Sequence, residues 1–415
     1  MKRLKEKIVV YKTPVLYSGS SIIKAFASII VSFVIAKYVS PEDLGLWTTI
    51  SLALTYSVFL QGGIINGLNL ELPYAYGKGN KEEAEKLAAV SQTYIIVVSI
   101  LVLSIGVGIN FFYPFQEAKV KWGVLAITFM ICFTFYQSYL LSTFRSNDAF
   151  LKLSYIQLVD AIVNIGTLIL IIYYAYYGMI VKATVVIFIY VILLHIFRPI
   201  KVRFYWNKNI FKNLLKVGFP IFGLAYLELI TSTIDKVWII KFSDLNNVGL
   251  YSFGLYSLTM VTLFSSSIAS YIYPRMTYNY GANNNKVLLW KYVKKVTIIV
   301  FITLLPVVVI GYFALPYIIQ TFFPNYILST KVMQILLIAG LFKGAVIGVN
   351  VLWSIKKWKY MIIYQLSYSL LYAGFTYLFF ILLNKTIEGI AIGVLLANVS
   401  SVILGLLLSY IGTHK

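Results

Sequence analysis

AKYVSPEDLGLW, residues 36–47, returns as IKFSDLNNVGLY, residues 240–251, at a constant offset of 204. Lys37 matches Lys241, Tyr38 matches Phe242, Gly45 matches Gly249, Leu46 matches Leu250, and Trp47 is replaced by Tyr251. Each copy stands between two long apolar runs, where a helix would end and the next begin. The chain therefore reads as two halves of the same orientation, residues 1–197 and 214–415, joined by a basic linker at 198–213.

The apolar runs that flank the repeat identify the solvent. Of the 415 residues, 60% are hydrophobic and only 12% charged, about half the charged share of an ordinary soluble domain. Residues 159–177 and 296–316 are apolar stretches longer than the 18 residues that carry a helix across a bilayer. They are continuous and do not alternate in and out over short segments, which predicts helices and excludes a β-barrel. Hydropathy, cut at charges, prolines and glycines, predicts twelve spans at about 14–38, 44–69, 88–113, 122–144, 152–177, 179–197, 214–241, 248–273, 296–317, 330–354, 361–383 and 388–411. The fold class is all-α membrane protein, with six spans per half.

Charge supports the count. With the N-terminus inside, 25 of the 35 lysines and arginines fall on the inner face, every inner connection is basic, and both termini are cytoplasmic. The net charge of +21 is thus a membrane-orientation signal, not a nucleic-acid one. The first apolar run passes the small-residue triplet Ala25–Ala27 and continues to Tyr38, which reads as a retained span and not a cleaved signal. Asn80 is the expected N-cap of a helix leading into span three, with acids in its first turn. Residues 201–216 mix basic and aromatic side chains, the composition of an interfacial helix or of a plain basic loop. Cys132 is the single cysteine, and neither His195 nor His414 has metal-ligand company.

Six charges within the spans are the candidates for the membrane interior: Lys24, Asp160, Glu228, Asp235, Lys236 and Lys343. Each is costly at the bilayer centre, about 3 kcal/mol on insertion scales, so it should face protein or water. Lys24 and Glu228 are related by the 204 offset. Glu228 and Asp235 are seven apart, one helix face. One reading has Lys24, Glu228 and Asp235, with Lys343, lining a central cavity between the halves. The other has structural pairs, Lys24 with Glu228 and Asp235 with Lys236 or a neighbouring span. Asp160 is expected near the cytoplasmic end of its span and Lys236 to snorkel outward. Gly340, Gly344 and Gly348, four apart in span ten, permit close helix packing, and Pro220, Pro306 and Pro316 are candidate kinks. The 34 tyrosines suit interfacial belts and a sugar-compatible cavity. No phosphate-binding G-x-x-x-x-G-K-[ST], zinc motif, nucleophile elbow or long catalytic loop occurs, so the chain reads as a transporter and not an enzyme.

Residues 36–87 carry an S-P-E-D-L-G-L-W turn, G-I-I-N-G-L at the end of span two, and an E-L-P…G-K-G-N…A loop. Together with I-D-K-V-W-I-I-K-F and V-G-L-Y-S-F in the second half, they resemble the bacterial polysaccharide flippases that export O-antigen and capsule repeat units. That family shares a superfamily with the multidrug and toxin extrusion proteins and the lipid II flippases. The resemblance implies two six-helix lobes around a central cavity, alternating access, and the bacterial inner membrane. The implied substrate is an oligosaccharide on undecaprenyl pyrophosphate, moved from the cytoplasmic to the periplasmic leaflet, with membrane lipids and other glycan-assembly proteins as partners. Lys24 and Lys343 match the cavity cations of the family in kind, although lysine cannot grip phosphate with the two-pronged geometry of arginine. No cofactor is implied. Glu228 and Asp235 are candidates for a coupling cation or proton. The alternatives are a cation-coupled multidrug exporter of the same superfamily and a non-transporting scaffold for glycan assembly. The extra C-terminal spans of lipid II flippases are not expected here.

Overall fold

The computed structural model describes residues 2–283, 286–346, 352 and 357–414, with side chains from residue 16 onward except 266–288. Gly348, Lys356 and Lys415 lie outside the described residues, and the basic cluster at 2–12 is described as backbone only. Among the described residues all regular secondary structure is helical. In order the helices are α1 Lys2–Tyr38, α2 Pro41–Ser57, α3 Ile64–Gly77, α4 Lys81–Phe112, α5 Ala118–Ser146, α6 Phe150–Gly166 and α7 Leu168–Ile196. The second half follows with α8 Lys208–Thr231, α9 Ile234–Phe242, α10 Leu245–Asn283, α11 Lys286–Phe322, α12 Thr330–Ala345, α13 Trp358–Leu382 and α14 Ile387–His414. The repeat is visible in the boundaries: α1 ends at Tyr38 and α9 at Phe242, α2 starts at Pro41 and α10 at Leu245, each pair 204 apart.

Among the described residues, eleven helical stretches are long and apolar enough to cross a membrane. The twelfth expected crossing, 152–177, is represented by α6, whose 17 residues fall just short of that length. A turn at Thr167, closed by Leu170 N–H donating to the Thr167 carbonyl at 3.1 Å, separates it from α7. The chain then reverses within the first turns of α7, at Ala175, where φ is 45° and ψ −115°. Two contacts establish the reversal. A Cβ on Gly178 would lie 1.8 Å from the Leu170 carbonyl oxygen, and Lys182 hydrogen-bonds Asn164. Both pairs are centred near residue 174, the signature of an antiparallel hairpin, so the connection comes a few residues before the expected 177–179.

Three other expectations change locally. Span two is interrupted: α2 runs into a 3-10 turn at Val58–Gln61, and Gly62 and Gly63 take φ of 57° and 89° before α3 begins. These are left-handed conformations that glycine adopts without strain. The same segment packs closely on α8, where a Cβ on Gly218 would come 2.0 Å from the Gly63 carbonyl. Span seven is interrupted not at Pro220, which lies inside α8, but between α8 and α9. There the Ser232 hydroxyl donates to the Leu229 carbonyl at 2.8 Å and the Thr233 hydroxyl to the Ile230 carbonyl at 3.0 Å, occupying helix-end acceptors. The basic linker holds no separate interfacial helix. Residues 201–207 are irregular and α8 starts at Lys208, where the Asn207 carboxamide accepts from the Asn209 and Ile210 N–H groups at 2.9 and 3.1 Å.

Asn80 is the N-cap of α4. Its Oδ1 accepts from the Glu83 N–H at 3.1 Å while its amide donates to the Glu83 carboxylate at 2.9 Å, a reciprocal capping pair.

The chain packs as two compact units. The first comprises Met1–Val39 and Ile50–Tyr226, the second Ser40–Thr49 and Leu227–Lys415. In the first, α1 lies on α6 and α7, and α5 on α4 and α7. In the second, α12 lies on α10, α11 and α14, and α13 on α14. The core of the second is an aliphatic cluster that includes Val261, Val293, Val300, Leu304, Leu337 and Leu341. Within this unit the two copies of the repeat meet. A Cβ on Gly45 would lie 1.8 Å from the Leu245 carbonyl oxygen, and one on Gly249 would lie 1.7 Å from that of Pro41. The contact is reciprocal under the 204 offset, so the two glycines allow α2 and α10 to cross backbone to backbone. Gly340 and Gly344 serve the same purpose for α12 against α10, meeting Val261 and Ser265. Large apolar side chains such as Ile100, Phe111, Tyr173 and Phe313 are exposed, as expected of surfaces solvated by lipid.

Candidate functional site

The first unit assembles a polar ladder from three helices. On α6, Gln157, Asp160 and Asn164 are three and four residues apart and share a face. On α1, Ser20, Ser21 and Lys24 do the same, and α7 adds Lys182 and Tyr190. Ser20 and Ser21 hydroxyls donate to the Gln157 carboxamide oxygen at 2.7 and 3.2 Å. One turn along, Lys24 Nζ lies 2.8 Å from Asp160 Oδ2 and 4.0 Å from the centre of the Tyr190 ring. One turn further, Lys182 donates to Asn164 Oδ1. Asp160 is 4% exposed, while the Lys24 side chain is 34% exposed.

The rungs change two expectations. Asp160 is no free end-of-span carboxylate: it is buried against Lys24. Lys24 is paired with Asp160, not with Glu228, because α6 packs on α1 and brings a carboxylate to it inside the same unit. The attractive face of Tyr190 adds to the hold on the ammonium. Lys182 was not among the sequence candidates. The expected boundary at 177–179 set it near the outer end of a span, whereas the reversal at Ala175 carries it down alongside Asn164. A lone lysine in the apolar run 168–196 is the signal that would have found it.

The second unit holds the other four candidates. Asp235, in the first turn of α9, is fully buried. Its Oδ2 accepts from the Tyr251 hydroxyl at 2.6 Å and the Tyr372 hydroxyl at 3.0 Å, and its Oδ1 from the Lys236 N–H at 2.8 Å. Three donors satisfy a carboxylate that burial would otherwise penalise heavily. Lys236 Nζ is 3.9 Å from the same carboxylate and 3.3 Å from the Ser232 carbonyl, so it turns back along the chain and does not snorkel. Glu228 is exposed. The seven-residue spacing does not place it on one face with Asp235, because the break at Ser232–Thr233 falls between them. Glu228 instead lies in electrostatic range of Lys343, which is also exposed, and of Tyr364 and Tyr368. These tyrosines stand with Tyr372 on one face of α13. Tyr364 and Tyr368 stack at 6.2 Å and 5°, and Tyr368 donates to Asn398 Oδ1 on α14 at 3.3 Å. The second unit thus presents an exposed acid and an exposed base beside an aromatic ladder, with the most buried carboxylate beneath. No group of three or more His, Cys, Asp or Glu capable of holding a metal occurs among the described residues.

A family model described as "Polysaccharide biosynthesis protein" matches residues 78–331. A comparison with curated proteins finds no significant match. Among solved structures, the chain is similar to a lipid II flippase, MurJ, in an inward closed conformation. That likeness has 19% identity, covers 97% of this chain and 88% of the other, and has a TM-score of 0.74. It is similar as well to an inward-facing multidrug resistance MATE family transporter of the MOP superfamily, with 15% identity, 94% of each chain and a TM-score of 0.72. A MOP superfamily transporter from Pyrococcus furiosus matches with 16% identity over 97% of this chain and 96% of that one, at a TM-score of 0.60. At these identities the likeness is one of fold, and the fold is that of membrane transporters.

Proposed function

Given that the chain belongs to the polysaccharide biosynthesis protein family, with the transporter fold of the MOP superfamily, we propose that it flips a lipid-linked oligosaccharide. The substrate is an undecaprenyl-pyrophosphate-linked repeat unit, carried from the cytoplasmic to the periplasmic leaflet of the bacterial inner membrane by alternating access. Both termini are cytoplasmic in this reading. The lobes 1–197 and 214–415, joined by the basic linker 198–213, rock to expose the headgroup to each side in turn.

The observation that carries the reading is Lys24. A partly exposed ammonium stands within the first span, steadied by a buried carboxylate and an aromatic face. That arrangement suits the anionic pyrophosphate. Lys343 is the second cation offered to the headgroup, and the tyrosines beside Glu228 suit the hydroxyl-rich faces of sugars. Glu228 or Asp235 takes the coupling cation or proton. One observation favours a second reading. An exposed carboxylate in electrostatic range of Tyr364 and Tyr368 also suits an aromatic organic cation, the cargo of a multidrug exporter.

Purified protein in proteoliposomes separates the two. Undecaprenyl-pyrophosphate oligosaccharide should cross leaflets at a rate that depends on Lys24, and ethidium should not be transported. Ethidium transport without oligosaccharide flipping would replace the first reading by the second.

A further inference from the structure

The ladder of the first unit contains two amines and one carboxylate, and both partners of the unused pairing are incompletely satisfied. Asp160 is bonded through Oδ2 to Lys24, and Oδ1 has no partner among the described residues. Lys182 is 5% exposed and has one hydrogen-bond acceptor among the described residues, the Asn164 carboxamide. An ammonium carries three donors. Asp160 and Asn164 are neighbours on α6, one turn apart, about 5–6 Å between Cβ atoms. The four-carbon stem of a lysine spans that step by rotamer change.

We propose that Lys182 is a positioning residue for Lys24: it takes over Asp160 when Lys24 turns to an anionic group of the phosphate or pyrophosphate class. Two arrangements of the same net charge result. With Lys24 on Asp160, the surplus positive charge rests on Lys182, shut away from solvent. With Lys182 on Asp160, it rests on Lys24, the partly exposed middle rung of the ladder, where an anion meets it. Without Lys182, a departing Lys24 would leave a buried, uncompensated carboxylate, among the most unfavourable states a protein interior offers. Lys182 removes that obstacle, and an anion then selects the arrangement that favours it. This rests on the reading of Lys24 as an anion site.

The test uses the full chain in lipid nanodiscs and reads acetylation of Lys24 by acetic anhydride, followed by mass spectrometry, beside calorimetric binding of inorganic pyrophosphate. Lys182→Met should lower Lys24 acetylation on the order of threefold, because Lys24 becomes the sole cation for Asp160. Asp160→Asn should raise it, Asp160→Asn/Lys182→Met should match Asp160→Asn, and Lys182→Arg should restore wild-type labelling. Lys182→Gln, which keeps a donor for Asn164, replaces the methionine variant if that variant does not fold. Unchanged Lys24 acetylation on removal of Lys182, with pyrophosphate binding still abolished by Lys24→Ala, overturns the exchange alone. Pyrophosphate binding that survives Lys24→Ala overturns the anion-site reading beneath it.

Discussion

Replacing Gly45 by alanine adds one methyl group at the point where the two copies of the repeat cross. The new Cβ would stand 1.8 Å from the Leu245 carbonyl oxygen and 2.9 Å from the Gly249 nitrogen, whereas ordinary contact begins near 3.4 Å. The obstacle is backbone, so no rotamer change relieves it, and α2 and α10 must part by about 1.5 Å along that line. Overpacking a well-packed contact costs about 1–3 kcal/mol. Because backbone meets backbone here, the upper figure applies, about 3 kcal/mol for Gly45→Ala and the same for its counterpart Gly249→Ala. The double variant should cost little more than either single one, since one separation accommodates both methyls. Thermal unfolding of the purified protein in detergent, followed by intrinsic fluorescence, measures this. Gly19→Ala and Gly374→Ala are the controls. Nothing lies within 4 Å of a Cβ at either position, and in a helix interior alanine is favoured over glycine by about 1 kcal/mol. If Gly45→Ala unfolds at the same temperature as Gly19→Ala, or if the two crossing substitutions are fully additive, the reciprocal contact is wrong.

Three further outcomes are expected. Lys24→Ala alone lets Lys182 take over Asp160 and should cost under about 1 kcal/mol in the same unfolding assay, whereas Lys24→Ala/Lys182→Met leaves Asp160 buried without a cation and should cost about 3 kcal/mol; adding Asp160→Asn to that pair should recover most of the stability while flipping stays impaired. Tyr372→Phe removes one of the two hydroxyls that Asp235 Oδ2 accepts from and should cost about 1.5–3 kcal/mol, the range for hydrogen bonds to a charged group, with Tyr251→Phe at least as severe; equality with Tyr377→Phe, an exposed tyrosine of the same helix, would contradict the role given to Asp235. Ala175→Gly relieves a left-handed backbone at the α7 reversal and should raise the unfolding temperature, by an amount corresponding to about 1 kcal/mol, where a decrease would argue against the hairpin.

Much of this was legible in the chain because lipid is a demanding solvent. A bilayer leaves backbone groups no partner but their own helix, so long apolar runs declare both secondary structure and its number. Gly45 and Gly249, found as matching letters 204 residues apart, proved to be the contact itself, since only residues without a side chain let two helices touch through their backbones. Asn80 capped α4 as its neighbours required, because capping is a local exchange of hydrogen bonds. The intramembrane charges were equally visible, since their cost makes each one conspicuous.

Their partners were not. Sequence distance carries no record of which helix packs on which. The 204 offset suggested Lys24 with Glu228, and the packing of α6 against α1 joined Lys24 to Asp160 instead. Seven-residue spacing holds only along an unbroken helix, and the turn at Ser232–Thr233 left Glu228 exposed and Asp235 buried beneath two tyrosines. The reversal at Ala175 moved Lys182 from a presumed helix end to a buried place beside Asn164. Pattern along the chain suffices for a helical membrane protein with an internal repeat and a short list of charges that must be satisfied. How they are satisfied is a matter of packing, because a buried charge takes the partner that neighbouring helices bring within about 3 Å, whatever their separation along the chain.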